Sequence, residues 1–330
     1  MSFSASANMF WLQANRSVID IGGSSLNLTF DRQLPDAFRG NGYFPKEMAY
    51  TYGMDKWNVI AGTSYQTSDE ISIIAATAGN VVSQMPKTGN VIVDLGAANS
   101  PKFEPYVHAF LNQGKQVTYV ALDINKGSLT DHVNAAADRF PGVTCIGLWG
   151  DFSQGDKFYK NITGNRSFLS LGSIFYNAPD QMCVDRCLEV KAHFSGFDRL
   201  IVGQDGPSAG ESANTHKAYG TAAYADFFNT YLSGIQQQAG IVADAKTAWS
   251  YESKLIDTMH FFEVTALKEM VCQRYDGYVV KKGTTYVMFP SWKRGEEEIH
   301  DITKKQGLKI MTLGKSPSSG MRQYLVQPQN

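Results

Sequence analysis

A doubly wound α/β domain is predicted by three features of this 330-residue chain. Five short apolar runs alternate with helical segments: VIVDL (91–95), VTYVALDI (117–124), VTCIGLWG (143–150), FLSLGS (168–173) and RLIVGQD (199–205). Strands that are apolar throughout, without alternation, belong to a parallel sheet covered on both faces. The first run leads into a glycine turn, Gly96-Ala97-Ala98-Asn99, and the second closes on an acid, Asp123. In such sheets a glycine turn and a strand-ending acid hold a nucleotide-type cofactor.

The elements follow in order. Before residue 66 the text is irregular and rich in Gly, Tyr and Phe, centred on RGNGYFPKEMAYTYGMDKW. A helix is predicted from Ser68, because SDEISIIAATAGNVVSQM has acids in its first turn and an apolar body. Another follows Gly96, with Ser100 as its cap, Pro101 in its first turn, and Phe103, Tyr106, Val107, Phe110 and Leu111 at helical spacing. Residues 214 to 290 break the rhythm. AYADFFNTYLSGIQQQ and YESKLIDTMHFFEVTALKEM read as helices, and YDGYVVKKGTTYVMF reads as a hairpin. The α/β order returns in GEEEIHDITKKQGLKIMTLG, a helix that starts on three glutamates and stops at Gly307 before a strand. RQYLVQ closes the sheet. The expected organisation is a core over residues 66–213, completed by 291–330, with a second, substrate-binding domain made of 1–65 and the insertion 214–290. The two parts of that second domain are expected to pack together over the carboxyl edge of the sheet, where ligands bind.

Composition narrows the class. With 43% apolar, 12% aromatic and 18% charged residues, the chain is that of an ordinary soluble globular protein. Lys plus Arg is 30 and Asp plus Glu is 31, so no nucleic-acid surface is expected. No apolar run approaches a bilayer span, and the N-terminus lacks the basic and long apolar regions of a secretory signal. The cytosol is the default compartment and a monomer the default state. Four cysteines make no disulfide framework. Cys183 and Cys187 can share a helix face, but no further ligands complete a metal site, so none is expected.

The turn after the first strand selects the cofactor. A pyrophosphate needs later glycines and a free helix N-terminus. Here Ala98 and Asn99 crowd the turn and Pro101 removes an N–H donor. A cofactor with no phosphate at that point fits better, and S-adenosylmethionine (SAM) is the common one. On this reading Gly96 passes close to the methionine part and Asp123 takes the ribose. Asp151, after the third strand, accepts from the adenine amino group, and Phe152 covers the ring. The plainer alternative makes Gly96 a tight turn and Asp123 a strand-end cap.

These motifs, taken together, resemble the histidine-specific SAM-dependent methyltransferase family of ergothioneine biosynthesis. The likeness is greater to its fungal branch, typified by the dimethylallyltryptophan N-methyltransferase of ergot alkaloid synthesis. It runs through VIDI (18–21), GMDKWN (53–58), YQTSDE (65–70), VDLGAANSPK (93–102), YVALDIN (119–125) and GDF (150–152). It continues in LGSIFYN (171–177), AYGTAAYADFFNTYL (218–232) and PSWK (290–293). The resemblance implies a Rossmann-like class I methyltransferase sheet, with SAM contacts at Gly96, Lys102, Asp123, Asp151, Phe152 and Gly172. Lys102, six residues beyond Gly96, would face the methionine carboxylate. Tyr65, Asn177, Tyr219 and Ser291 match the residues that hold the methyl acceptor.

The departures are as informative. Histidine-methylating members carry a carboxylate two residues before the matched serine, and here that position is Phe289. The family's YYPTR is SYQTS, without its proline and arginine. The expected function is therefore N-methylation of a small amine, amino-acid-derived or alkaloid-like, and not of free histidine. An O- or C-methyltransferase, or a SAM-binding regulatory homologue without turnover, are the alternatives. Among the histidines, His108 and His300 are expected at the surface, whereas His216 and His260 could face the acceptor.

Overall fold

A computed structural model describes residues 15–207 and 217–329. In chain order the first elements are β1 (Val18–Asp20), α1 (Leu26–Phe38), α2 (Glu47–Thr63), α3 (Tyr65–Ser83), β2 (Asn90–Leu95) and α4 (Glu104–Asn112). Next come β3 (Val117–Asp123), α5 (Lys126–Arg139), β4 (Thr144–Trp149), β5 (Asn165–Ser170), α6 (Asp180–His193) and β6 (Arg199–Asp205). Helices α7 (Ala222–Ala239) and α8 (Ala245–Ala248) precede β7 (Trp249–Ile256), β8 (Met259–Ala266), β9 (Met270–Cys272), β10 (Tyr278–Val280) and β11 (Thr285–Trp292). The chain ends with α9 (Glu296–Lys305), β12 (Leu308–Lys315) and β13 (Met321–Pro328).

The first of two compact units takes the chain to Gly23, Tyr65–Gly206 and the stretch from Arg294 on. Its eight-stranded sheet has the order β1-β4-β3-β2-β5-β6-β13-β12. Strands β1 to β6 pair in parallel, and β13 runs antiparallel between β6 and β12. This is a doubly wound, Rossmann-like sheet. The strand order reverses between β2 and β5, and a ligand crevice opens at the carboxyl ends of strands flanking such a reversal. The apolar runs are buried on both sides, which is why they do not alternate. Ile92 joins a cluster with Ile74, Val81, Phe110 and Leu129, whereas Val91 and Val93 join one with Phe158, Phe168 and Val190.

In the second unit, Ser24–Ser64 and Pro207–Lys293, helix α2 packs along α7, and β7, β8 and β11 form an antiparallel sheet.

Four sequence expectations need correction. Residues 15–65 are largely helical; Pro35 inside α1 and a non-helical Gly53 inside α2 hide the period in the sequence. Val18–Asp20, assigned with that segment to the second domain, is instead an edge strand of the large sheet beside β4. The helix expected over 251–270 is the β7–β8 hairpin, turning at Asp257 with φ of 52°. Leu255, Met259 and Phe262 fit helical spacing, yet HFFEVTA is equally a run of strand formers, so period alone could not decide. The hairpin expected over 275–289 does not form: β10 pairs with β9, and β11 pairs with β8.

One buried ion pair fastens the first unit. The Arg166 guanidinium and backbone N–H donate to Asp198, whose carboxylate also accepts from Ser195 N–H. Both residues are buried. Asp198→Ala leaves the guanidinium without its counter-ion, at an expected cost of about 3–5 kcal/mol. Urea denaturation with a linear extrapolation measures it.

Candidate functional site

The turn after β2 builds the first part of the site. Gly96 has φ of 76°, open to glycine at little cost, and a Cβ there would lie 2.8 Å from Ile174 Cδ1 in the loop after β5. Gly96 and Ala97 N–H both donate to Leu122 O, so the turn folds over the end of β3. Ala98 N–H then donates to Asp123 Oδ2 at 2.8 Å, and Asn125 N–H donates to Asp123 Oδ1 at 2.8 Å. Burial raises the Asp123 pKa, and backbone N–H groups of Asn125, Ala98 and Ile124 oppose that rise. A carboxylate so held keeps further lone pairs for a diol. The residues present fit a ribose.

Asp151 and Phe152 follow β4. Gly150 N–H donates to Asp123 O, which ties this loop to the end of β3. Half-buried Asp151 accepts from Ser153 N–H at 2.8 Å, and Phe152 packs on the core under the Arg186 guanidinium, 5.4 Å from its ring centroid. A carboxylate beside an aromatic face fits an aminopurine.

Lys102 and Gly172 meet on a residue the sequence reading passed over. Lys102 Nζ lies 2.7 Å from Glu70 Oε2, and Gly172 N–H donates to both Glu70 oxygens, at 3.1 and 2.9 Å. Glu70 is fully buried. Its sequence signal was read as a first-turn acid serving the helix dipole, but the helix starts earlier, at Tyr65.

A second missed acid is Asp94, inside VIVDL. Tyr119 Oη donates to Asp94 Oδ2 at 3.0 Å and lies 2.7 Å from His132 Nε2. With one hydroxyl proton committed to Asp94, the Tyr119 oxygen accepts from His132 Nε2–H. Burial pushes the Asp94 pKa up to about 7; the Tyr119 hydrogen bond and Lys102 oppose this, and Asp123 and Glu70 add to it. Burial also pushes His132 down to about 4, keeping it neutral.

Of the residues matched to the acceptor, Tyr65 Oη donates to Asp205 Oδ2 at 3.0 Å, and Gln66 Nε2 donates to the same oxygen at 2.7 Å. Asp205, at the end of β6, is the third missed acid. Its own N–H donates to Ser173 Oγ, and Asn177 Nδ2 donates to Ser173 O at 3.0 Å. Tyr65 and Asn177 thus flank one short network at the carboxyl ends of β5 and β6.

Tyr219 and Ser291 belong to the second unit, where Tyr219 Oη donates to Ser291 Oγ at 3.0 Å. The Tyr219 ring stacks on His260, centroids 3.4 Å apart, and Ser253 Oγ is 2.7 Å from His260 Nε2. Lys293 Nζ lies 5.7 Å from the Tyr219 ring centroid. Phe289 sits at a break in β-pairing with φ of 51°, rare for a bulky residue. Around it lie the rings of Tyr50, Phe227 and Tyr231, with Lys46 Nζ 4.7 Å from its centroid. His108 is exposed, whereas His300 is half-buried on Thr312, against the surface position expected of it; His216 lies outside the described residues. Among the described residues no helix is long and apolar enough to cross a membrane.

The profile of the family described as "Histidine-specific methyltransferase, SAM-dependent" matches residues 44–328. Ergothioneine biosynthesis protein 1 of Neurospora crassa is 29% identical over 222 residues, 62% of this chain. A 4-dimethylallyltryptophan N-methyltransferase of Trichophyton verrucosum is 33% identical over 113 residues, 33% of this chain. The aligned stretches span 24% and 33% of those relatives' own lengths. A SAM-dependent methyltransferase from Clostridium acetobutylicum ATCC 824 aligns in structure with a TM-score of 0.43 at 13% identity, over 82% of this chain and 95% of that one.

The Asp94 pair of interactions sets a pH dependence. Folding raises its pKa from 3.8 to about 7. The fold therefore binds that proton more tightly than the unfolded chain does. Its stabilising contribution is complete below the unfolded value and is lost as pH rises through the folded one. Asp94→Asn should gain on the parent in thermal midpoint as pH goes from about 4 to about 8. Calorimetric scans across that range, without added ligand, check it; a constant difference would refute the assignment.

Proposed function

Because the chain belongs to the histidine-specific, SAM-dependent methyltransferase family, we propose that it transfers the SAM methyl group to the amine nitrogen of a small organic molecule other than free histidine. Phe289 carries this reading. It stands where histidine-methylating members place a carboxylate, and it is buried among aromatic rings. An imidazole there would forgo a charge-assisted hydrogen bond, roughly 1.5–3 kcal/mol. An apolar or aromatic portion of an acceptor would suit it better. The N-methyltransferase relatives acting on 4-dimethylallyltryptophan support an amine as the nucleophile.

On this reading Asp123 holds the ribose hydroxyls, Asp151 the adenine amino group and Lys102 the methionine carboxylate, with Phe152 over the purine. When bound, the cofactor supplies an electrophilic sulfonium methyl. The nucleophilic nitrogen must be uncharged to attack it, so the protein has to accept a proton from the incoming ammonium. Tyr65 commits its hydroxyl proton to Asp205, which turns its oxygen lone pairs toward an N–H donor. A proton passing from the amine to the Tyr65 oxygen, as the Tyr65 proton moves to Asp205, leaves the lone pair available for attack. Asn177 offers an amide acceptor on the same edge and fixes the lone-pair direction. Tyr219 and Ser291, which the resemblance matches to acceptor-holding residues, form a hydroxyl pair within the second unit. Much of the rate would come from alignment at about 3–3.5 Å between nitrogen and methyl.

Incubation with methyl-labelled SAM and a panel of small primary and secondary amines, free histidine included, tests the proposal. Label should enter an amine nitrogen, with histidine among the poorest acceptors; rapid conversion of histidine to its trimethylated product would overturn it. Two classes of variant should then separate. Asp123→Ala should weaken SAM binding by roughly 1.5–3 kcal/mol. Asn177→Ala and Tyr65→Phe should leave SAM affinity nearly unchanged and depress single-turnover rates on the amine the panel identifies. Calorimetric titration and rapid quench measure the two effects.

A further inference from the structure

We propose that Glu70 is the positioning residue for the amino-acid end of the cofactor, holding the Lys102 ammonium and the Gly172 N–H across the crevice where the strand order reverses. The inference rests on the reading of Lys102 as the partner of the methionine carboxylate. Lys102 follows β2 and Gly172 follows β5, so the two flank the reversal, and Glu70 reaches both from α3.

The sheet has made room for this carboxylate. A Cβ on Gly203 of β6 would fall 1.5 Å from Glu70 Oε1, so only a residue without a side chain admits the acid at that depth. A Cβ on Gly172 would come within 3.4 Å of Lys102 Nζ. A fully buried carboxylate is tolerated when donors surround it, and here one ammonium and one bifurcated backbone N–H do so. The arrangement has a consequence for the lysine. A flexible side chain with three donors is a poor reader of an anion until something fixes it. Glu70 takes one of those donors and fixes Nζ beside the crevice, leaving the ammonium's remaining donors for a second carboxylate. The second carboxylate is attracted by an ammonium whose entropy of ordering has already been lost.

The test compares two ligands that differ only at this end. S-adenosylhomocysteine carries the amino-acid group, and 5′-methylthioadenosine lacks it. Isothermal titration of each into the parent protein, Glu70→Gln, Lys102→Met and the double variant gives four affinity ratios. Glu70→Gln should weaken S-adenosylhomocysteine by roughly tenfold, the scale of one charge-assisted hydrogen bond, and leave 5′-methylthioadenosine within about twofold. The double variant should be no worse than Lys102→Met alone, because Glu70 acts through the lysine. Equal weakening of both ligands by Glu70→Gln would make the acid a fold residue and overturn the proposal, as would no change. If Lys102→Met itself leaves the ratio untouched, the reading of Lys102 fails and the inference falls with it. Should Glu70→Gln not fold, Glu70→Asp, which keeps the charge but shortens its reach, is expected to lower the same ratio. Neither ligand carries an acceptor amine, so every outcome is independent of which nitrogen is methylated.

Discussion

Acids buried at the carboxyl edge of a parallel sheet have to find their donors within the protein, and the first unit is arranged around that constraint. Four such acids, Glu70, Asp94, Asp123 and Asp205, are buried there, and each is accommodated differently. Backbone N–H groups of the β2 turn and the segment after β3 hold Asp123. A lysine and the Gly172 N–H hold Glu70. Asp205 takes its donors from Tyr65 and Gln66 at the start of α3. Asp94 has a tyrosine and a pKa shifted far enough to keep its proton over much of the acidic range. Satisfying these groups fixes the start of α3, the β2 turn and the loop after β5 together, because an unsatisfied buried carboxylate costs more than any of those segments could gain by moving.

The same constraint explains why α3 matters to function although it lies before the first strand of the parallel core. Its opening turns present Tyr65, Gln66 and Glu70 to two different acid-centred clusters. One contains the proposed cofactor residue Lys102 and the other the proposed acceptor residue Tyr65. A helix start that serves two clusters cannot shift to suit one without disturbing the other. That coupling gives the SYQTS segment a physical meaning: its tyrosine is kept in place by Asp205.

The second unit is governed by packing of rings. Phe289 is held in a left-handed conformation at a break in the β8–β11 register, surrounded by Tyr50, Phe227 and Tyr231. A strained backbone at a buried aromatic persists only when its surroundings fix it. Tyr219, bonded to Ser291 and stacked on His260, is fixed in the same way. The polar hydroxyl pair and the apolar ring cluster both lie within the second unit.

The sequence by itself determined the parallel sheet, because strands buried on both faces must be apolar throughout, and that shows in five uninterrupted runs. It also determined Gly96 and Asp123, since a turn residue at positive φ and a strand-ending acid are local requirements. The closing helix and strands were legible for the same reason, their caps and charges lying within a few residues of one another. Only the tertiary structure decided the rest. The 251–270 segment satisfied helical and strand periods equally, and its pairing with β11 resolved the choice. Proline and glycine inside α1 and α2 masked helices that packing sustains. Glu70 looked like an ordinary acid near a helix start until Gly203, more than a hundred residues away, proved to leave room for it. Asp94 and Asp205 lie in apolar runs, and the tyrosines that bond to them, Tyr119 and Tyr65, come from distant parts of the chain. Partners distant in sequence leave no periodic trace along the chain, so the donors of a buried charge are written only in three dimensions.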